Sequence, residues 1–444
     1  MKSVGDYDKT SQKSIYEFAH KLTGKSLSEV VDLPIDISNA KNRGDLGTLI
    51  EKYYFKHKPE NLNHQPDFPE AGIELKTTGI KLTKSGDYVA KERLVLMMID
   101  FEKIVKEQWE TSSYLKKCRL MLLMFYLYSK EVDVIDRKFV LPPMLFEIPA
   151  ADLNIIKKDW EIIREKVLKG QADQLSEGDT FYLGACRKGS GGEKEKLRKQ
   201  PFSDSGAPAR AFSLKQGYLN RIIKNHISGN FDSDGVLGTD IEKTTALKFE
   251  KYLGKTIEEI SDSVGYHKRG LIHKGFNQDL ARRILSDSRL DVPELEKANI
   301  KLKTVRLNIH EKCQESMSFR GFKFLDLVNQ EWEDSIFCEE LEQKLLLFVT
   351  KLDENKKERL YKIAYWNMPF EDRLEAKRVW EETKKRIKID ATNLPKISES
   401  KIAHVRPKAR NGKDKIITPQ GTMQLKQCFW LNAQYLTEVI NKLP

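Results

Sequence analysis

QPDFPEAGIELKTTG (65–79) and PELEKANIKLKT (293–304) read as the same stretch written twice, and their differences decide how this chain is organised. In the first, Asp67 precedes a segment whose alternation places Glu74 and Lys76 on one strand face and Leu75 on the other. In the second, Lys301 stands where the glutamate was, with Lys303 opposite Lys76 and Glu294 opposite Asp67.

Outward from this pair the repetition continues. KLTGKSLSEV (21–30) returns as KYLGKTIEEI (251–260), and QWETSSYLKKCRLMLLMFY (108–126) as EWEDSIFCEELEQKLLLFV (331–349). Trp160-Glu161 is answered by Trp380-Glu381, and FSLKQGYLN (212–220) by MQLKQCFWLN (423–432). Five blocks recurring in one order indicate tandem duplication of a whole domain. The aperiodic, turn-forming stretch SGNFDSDGVLGTD (228–240) reads as the linker, dividing the chain into 1–227 and 241–444. CRKGSGGEKEKLRKQPFSDSGAPAR (186–210) reads as a basic loop inside the first copy.

At 444 residues the chain suits two domains of roughly 200 residues each. Its longest apolar run, LMLLMFYLY (120–128), is far below the ~20 residues that a membrane span needs. The polar N-terminal stretch carries no signal-type core, and five cysteines are dispersed without metal-ligand spacing. These features fit a cytoplasmic protein with reduced thiols. A net charge of +11 favours a polyanionic partner such as nucleic acid. SQKSIYEFAHKLTG and DWEIIREKVLKG have helical periodicity with glycine stops, while GIELKTTGI and ERLVLMMID (92–100) read as neighbouring strands. Each copy is therefore expected to be α+β, built on a small mixed sheet.

Metal-assisted phosphodiester hydrolysis needs carboxylate oxygens for the ion, a group that orients water, and a cation near the phosphate. Glu74 and Lys76 share a face, Asp67 can fold back beside them, and Glu51 projects from the preceding helix. An exposed edge strand bearing Glu and Lys for solubility accounts for the same triplet, so the triplet alone does not decide.

Taken together, NRGDLGTLIEKYYF (42–55), PDFPEAGIELKTT (66–78), WETSSYLKKCRLML (109–122) and KKDWEIIREKVLKGQ (157–171) resemble the MutH family of DNA endonucleases in order and spacing, over most of 15–225. The resemblance implies a restriction-endonuclease-like fold of the PD-(D/E)xK type, Mg²⁺-dependent cleavage and recognition of GATC in double-stranded DNA. It assigns Glu51, Asp67, Glu74 and Lys76 to catalysis, with Asp67 and Glu74 on the metal. Lys188, and more loosely Arg187, match its DNA-reading loop. RAFSLK (210–215), which includes Lys215, matches the segment that approaches the bases, with Ser213 where an aromatic is usual. Lys116, Lys117 and Arg119 form a candidate phosphate-contacting patch, for which an ordinary solvated face is the alternative.

The second copy diverges in its chemistry. Lys301 at the glutamate position would repel a divalent ion, so this copy is expected to be catalytically dead. Lys116, Lys117 and Arg119 become Glu339, Glu340 and Glu342. HVRPKARNGKDK (404–415) nevertheless keeps the family's Arg-Pro-Lys loop, which makes Arg406 and Lys408 candidates for guanine edges, with Lys426 following in QLKQ. The tandem arrangement resembles the two-domain GATC restriction endonucleases related to MutH. A copy that keeps its reading loop without the catalytic glutamate suggests a DNA-binding effector or dimerisation unit, with a decayed copy retained for packing as the alternative, and one active site per chain suggests a two-fold dimer on palindromic DNA. A strand-nicking mismatch-repair enzyme and a non-catalytic DNA-binding regulator are the alternative readings.

Overall fold

β4 (Leu120–Leu127) is buried along all but its two ends, so both of its faces must be covered. It pairs in parallel with β1 (Glu74–Leu82), Glu74 facing Met121 across the ladder. Antiparallel β2 (Tyr88–Ala90) and β5 (Met144–Glu147) complete the order β2-β1-β4-β5. β3 (Leu94–Met98), β6 (Leu183–Arg187) and β7 (Arg210–Leu214) form a separate antiparallel sheet, ordered β3-β7-β6. β3 is thus not the neighbour of β1 that sequence proximity indicated. The short β2 takes that edge, and the chain then leaves for the second sheet. The computed structural model describes residues 5–34, 45–57, 65–189, 191–192, 195–230, 235–266, 275–287 and 290–444. Residues 42–44 of the first helical block and 231–234 of the linker lie outside these.

The second half repeats the plan. β8 (Lys301–Leu307) pairs in parallel with β10 (Leu345–Leu352), and β11 (Glu358–Trp366) joins antiparallel to β10. β9 (Met317–Phe322), β12 (Ala403–Pro407) and β15 (Gln427–Leu431) give the order β12-β15-β9, the counterpart of β6-β7-β3. A two-stranded hairpin, β13 (Lys415–Ile417) with β14 (Met423–Leu425), stands within the loop from β12 to β15. Side-chain detail repeats too: the Trp109 and Trp160 rings lie 5.8 Å apart at 62°, and those of Trp332 and Trp380 5.8 Å apart at 65°. The fold is mixed α+β in tandem duplicate.

Period-two alternation sorts the buried residues of the two central strands into cores. Leu122, Met124 and Tyr126 face a core made with the N-terminal helices. Met121, Leu123 and Phe125 face the opposite way, into a core that also contains Leu346 and Phe348 of β10 and the helices Ile241–Glu250 and Phe276–Leu285. Leu345, Leu347 and Val349 face a third core within the second copy. The middle core is therefore shared between the copies.

Polar contacts line the same seam. Lys297 pairs with buried Asp152 at 2.7 Å, Tyr218 donates to that carboxylate at 2.7 Å, and Arg221 pairs with Asp291 at 3.0 Å. Pro293–Lys297 forms a short helix, and Glu294 accepts from the Leu237 N–H at 2.7 Å. Glu294 therefore sits at the seam and does not occupy the place beside β8 that Asp67 holds beside β1. All five cysteines are buried and free, and among the described residues no helix is long and apolar enough to cross a membrane.

Gly217, in the first turn of the helix Gln216–Ser228, marks a close approach of the copies. Its N–H donates to the Asn299 side chain at 2.8 Å, and a Cβ there would lie 1.8 Å from the Glu296 carbonyl oxygen. Gly217→Ala should destabilise the full chain by about 2 kcal/mol, as forced overpacking does. Denaturant unfolding measures this, and wild-type stability would show that the copies do not meet at this point.

Candidate active site

Asp67 comes to Glu74 through a tight turn. Phe68 and Ile73 exchange both backbone hydrogen bonds, at 2.9 and 3.1 Å, while Gly72 at φ 69° takes the left-handed position that closes the loop. The Asp67 carboxylate accepts from the Leu75 N–H at 2.9 Å, and the Asp67 N–H donates to Glu74 Oε2 at 3.2 Å. Glu74, the first residue of β1, is 1% exposed. Lys76 Nζ donates to its Oε1 at 2.6 Å, and Lys117 Nζ lies 3.2 Å from its Oε2.

Lys117 arrives on the helix Ser113–Cys118, capped by Ser112, whose hydroxyl accepts from the Leu115 N–H at 3.2 Å. This helix leads straight into β4, so the parallel β1/β4 pairing fixes Lys117 relative to Glu74. Glu51 comes from the other side. The helix Asp45–Leu49 widens into a π-helical turn over Ile50–Tyr54, in which the Phe55 N–H reaches back to the Ile50 carbonyl at 3.0 Å. Such turns are frequent at functional sites. Glu51, Asp67, Glu74, Lys76 and Lys117 open onto one cleft of about 610 Å³, which Arg198 and Lys199 also line.

Three carboxylates face two ammoniums here, and their protonation follows. Burial, reinforced by the negative charge of Asp67, pushes Glu51 up to about 7. Burial also raises Glu74, against the pull of Lys76. Burial opposes the charge of Lys76, but Glu74 beside it, together with Asp67, keeps it above the ordinary lysine range. Burial drives the adjacent Cys118 thiol up to about 12, so no thiolate nucleophile is available there.

The donor set fits a hard cation. Among the described residues no three His, Cys, Asp or Glu side chains converge closely enough to hold a metal. Mg²⁺, however, needs only one or two carboxylates, its remaining positions going to water and phosphate oxygen. Asp67 and Glu74, linked by their shared backbone contacts, are the residues that would hold it.

The other sequence-predicted residues divide. Lys116 and Arg119 are exposed, Arg119 lying 3.4 Å from Glu147. Lys117 belongs to the cleft and not to that surface patch. Lys188 is half-buried just past β6. Arg187 pairs with Glu195 in its own loop and, at 3.4 Å, with Glu333 of the second copy. Lys215 is in the interior: its side chain is buried and its ammonium donates to the Thr180 carbonyl at 2.6 Å. That position withdraws Lys215 from any DNA-facing surface. In the second copy Arg406 is exposed with its guanidinium 4.0 Å from the centre of the Trp430 ring, Lys408 donates to the Phe319 carbonyl at 2.7 Å, and Lys426 lies 2.5 Å from Asp414. Sequence reasoning missed Arg198 and Lys199 as cleft residues; the charge run EKEKLRKQ (193–200) was their signal.

Comparison with known proteins agrees with this layout. The family described as the DNA mismatch repair enzyme MutH matches residues 55–159 and again 281–378, once in each copy. The type II restriction enzyme Sau3AI of Staphylococcus aureus is 33% identical, over 98% of this chain and 99% of its own length. The DNA mismatch repair protein MutH of Vibrio parahaemolyticus is 24% identical over 49% of this chain and 94% of its own, and that of Shewanella woodyi 30% identical over 37% and 71%.

The raised Glu51 carboxyl makes a testable linkage. The folded protein keeps that proton up to about pH 7, whereas an unfolded glutamate releases it near 4.5. Between those values the folded state binds more protons, so stability falls as pH rises. In EDTA the melting temperature should drop between pH 5 and 8, and Glu51→Gln should remove part of that drop. Parallel wild-type and Glu51→Gln profiles would refute the assignment.

Proposed function

The chain belongs to the MutH-related family of type II restriction endonucleases, and from that premise we propose that it cleaves both strands of double-stranded DNA at GATC with Mg²⁺, leaving 5′-phosphate and 3′-hydroxyl ends. The observation that carries this reading is the buried Glu74 carboxylate held between Lys76 and Lys117, with Asp67 and Glu51 opening onto the same cleft. Bound at Asp67 and Glu74, Mg²⁺ would polarise the scissile phosphate and acidify the attacking water. Lys76, held protonated by Glu74, orients the water and offsets charge developing on the phosphate. Glu51, poised near neutrality, is the carboxylate able to take a proton from that water. Lys117, Arg198 and Lys199 add positive charge along the cleft for the DNA backbone.

The proposed division of labour follows the two copies. Residues 1–227 cut, 228–240 link, and 241–444 bind DNA without cutting. In the second copy Arg406 and Lys408 read bases and Lys426 lies beside them. In the first, Arg187 and Lys188 take that role, with Lys116 and Arg119 on phosphates. The pairing of Arg187 with Glu333 supports an effector role, because it ties the reading loop of one copy to the other. One catalytic site per chain makes a two-fold dimer the simplest way to cut a palindrome. We place the enzyme in the cytoplasm, where it meets DNA. A similarity extending over both copies favours a restriction enzyme over a single-copy nickase.

Supercoiled unmethylated plasmid with several GATC sites should give linear fragments in Mg²⁺ and none in EDTA, while a plasmid without the site stays intact. Glu74→Ala and Lys76→Ala should each lower the cleavage rate by about 10² to 10³, as removal of transition-state electrostatics does, with DNA binding retained. Open circles as the end product would indicate a nickase, and an uncut plasmid a binding protein.

A further inference from the structure

The buried ion pair of the first copy is rebuilt in the second with its charges exchanged. Ser112 and Ser335 cap equivalent helices, Ser113–Cys118 and Ile336–Leu341, each hydroxyl accepting from the N–H three residues on. Counting from those caps, Lys117 corresponds to Glu340, just as Glu74 corresponds to Lys301 at the start of the central strand. In the first copy Lys117 lies 3.2 Å from Glu74; in the second Lys301 lies 2.9 Å from Glu340. The acid has moved from strand to helix and the base from helix to strand, so the local contact survives while the field in front of the strand reverses.

Glu340 is also held from behind. Its carboxylate accepts from the Arg320 N–H at 2.8 Å and faces the Arg320 guanidinium at 3.3 Å, which in turn reaches Glu339 at 2.8 Å. Lys303, on the same strand face as Lys301, makes no ion pair among the described residues; its ammonium lies 5.7 Å from the Phe319 ring centre. Half-buried, it is held below the ordinary lysine range by desolvation, which Glu340 opposes and Lys301 and Lys408 reinforce. Glu340 is thus already engaged by Lys301 and Arg320, and Lys303 is left without a carboxylate partner among the described residues. Lys303 opens onto a cleft of about 550 Å³ with Arg306, Gln314, Ser316 and Ser318 along its wall. Of the acids there, Glu358 is bound by Thr350 at 2.7 Å and Asn277 at 2.8 Å and lies 4.0 Å from Arg306, while Glu258, Asp262 and Glu315 are exposed.

A half-buried, unpaired cation is costly, and an arriving anion offsets that cost. A divalent ion would be repelled by Lys301 and Lys303, whereas a phosphodiester would be attracted. We propose that the second copy binds a DNA backbone phosphate on the Lys301 and Lys303 face of β8 without any metal ion, the two lysines supplying the positive charge that a divalent cation brings to Asp67 and Glu74 in the first. This deepens the reading of the second copy as a DNA-binding unit and rests on it. It makes the two copies differ in metal demand: one engages a phosphate productively only with the cation, the other at any divalent concentration.

The experiment uses the full chain and a fluorescein-labelled GATC duplex, followed by anisotropy in EDTA across a salt series. Wild type should bind in EDTA at one duplex per chain. Lys303→Ala should weaken that binding by about tenfold and reduce the slope of log K against log salt by about one, as loss of a phosphate contact does. Lys303→Arg should restore both, which separates a phosphate contact from misfolding. Loss of wild-type binding on adding EDTA, or a Lys303→Ala variant that binds as wild type does in EDTA, would overturn the inference. Plasmid cleavage in Mg²⁺ reads the nuclease proposal separately: intact EDTA binding without cleavage would uphold this inference while removing that reading.

Discussion

A carboxylate 1% exposed at the head of a central parallel strand is an expensive thing to fold. Glu74 is tolerable because two ammoniums meet it, and each reaches it by a different structural route. Lys76 is delivered by period two within β1, while Lys117 is delivered by a capped helix that runs into β4. The parallel β1/β4 register is therefore what makes the charge arrangement possible, and the buried triad in turn commits that register, since a one-residue slip would turn Glu74 to the other face. Asp67 adds to the same point through a turn whose geometry depends on Gly72. Stability and chemistry are not separate here: the cluster that must be neutralised to fold is the cluster proposed to hold a cation and a water against a phosphate.

The second copy shows which parts of that arrangement are structural. Parallel central pairing, the serine-capped helix and the crossed tryptophans all persist at Lys301 and Glu340. What changed is the sign at each end of one contact. An exchange of charges keeps the pair and its packing, whereas loss of one partner would leave a buried charge uncompensated. The acid at the head of the central strand is lost by this route at little cost in fold, and Lys303 is left without a carboxylate partner among the described residues.

How much of this could be read from the sequence depends on the range of the interactions involved. The duplication, the α+β class and the convergence of Asp67, Glu74 and Lys76 were legible, because strand alternation and a short turn are local. Glu51 was legible as a helix residue, but its π-helical turn was not, since nothing in IEKYY itself distinguishes that turn from an α-helix. Lys117 was grouped with Lys116 and Arg119 because three neighbouring cations look alike in one dimension, and only the capped helix separates the one facing Glu74 from the two facing solvent. β3 was placed beside β1 because neighbours in sequence usually pair, while here the chain crosses to a second sheet. Lys215 and Glu294 were misplaced for a different reason: both are buried by contacts between elements far apart in sequence, which no local pattern encodes.

That last class of contact also bears on why a copy without the Glu74 carboxylate persists. The middle core takes Met121, Leu123 and Phe125 from one central strand and Leu346 and Phe348 from the other. Removing the second copy would strip the cover from an apolar face of the first, at roughly 25 cal/mol for each Å² exposed. A packing role and a DNA-binding role are accordingly not rivals. The shared core constrains the faces of the second copy that point inward, while the head of its central strand carries Lys301 where the first copy has Glu74. The exchanged ion pair lies at the boundary between those two regimes: packed well enough to be preserved as a contact, with its lysine on the strand face that Lys303 shares.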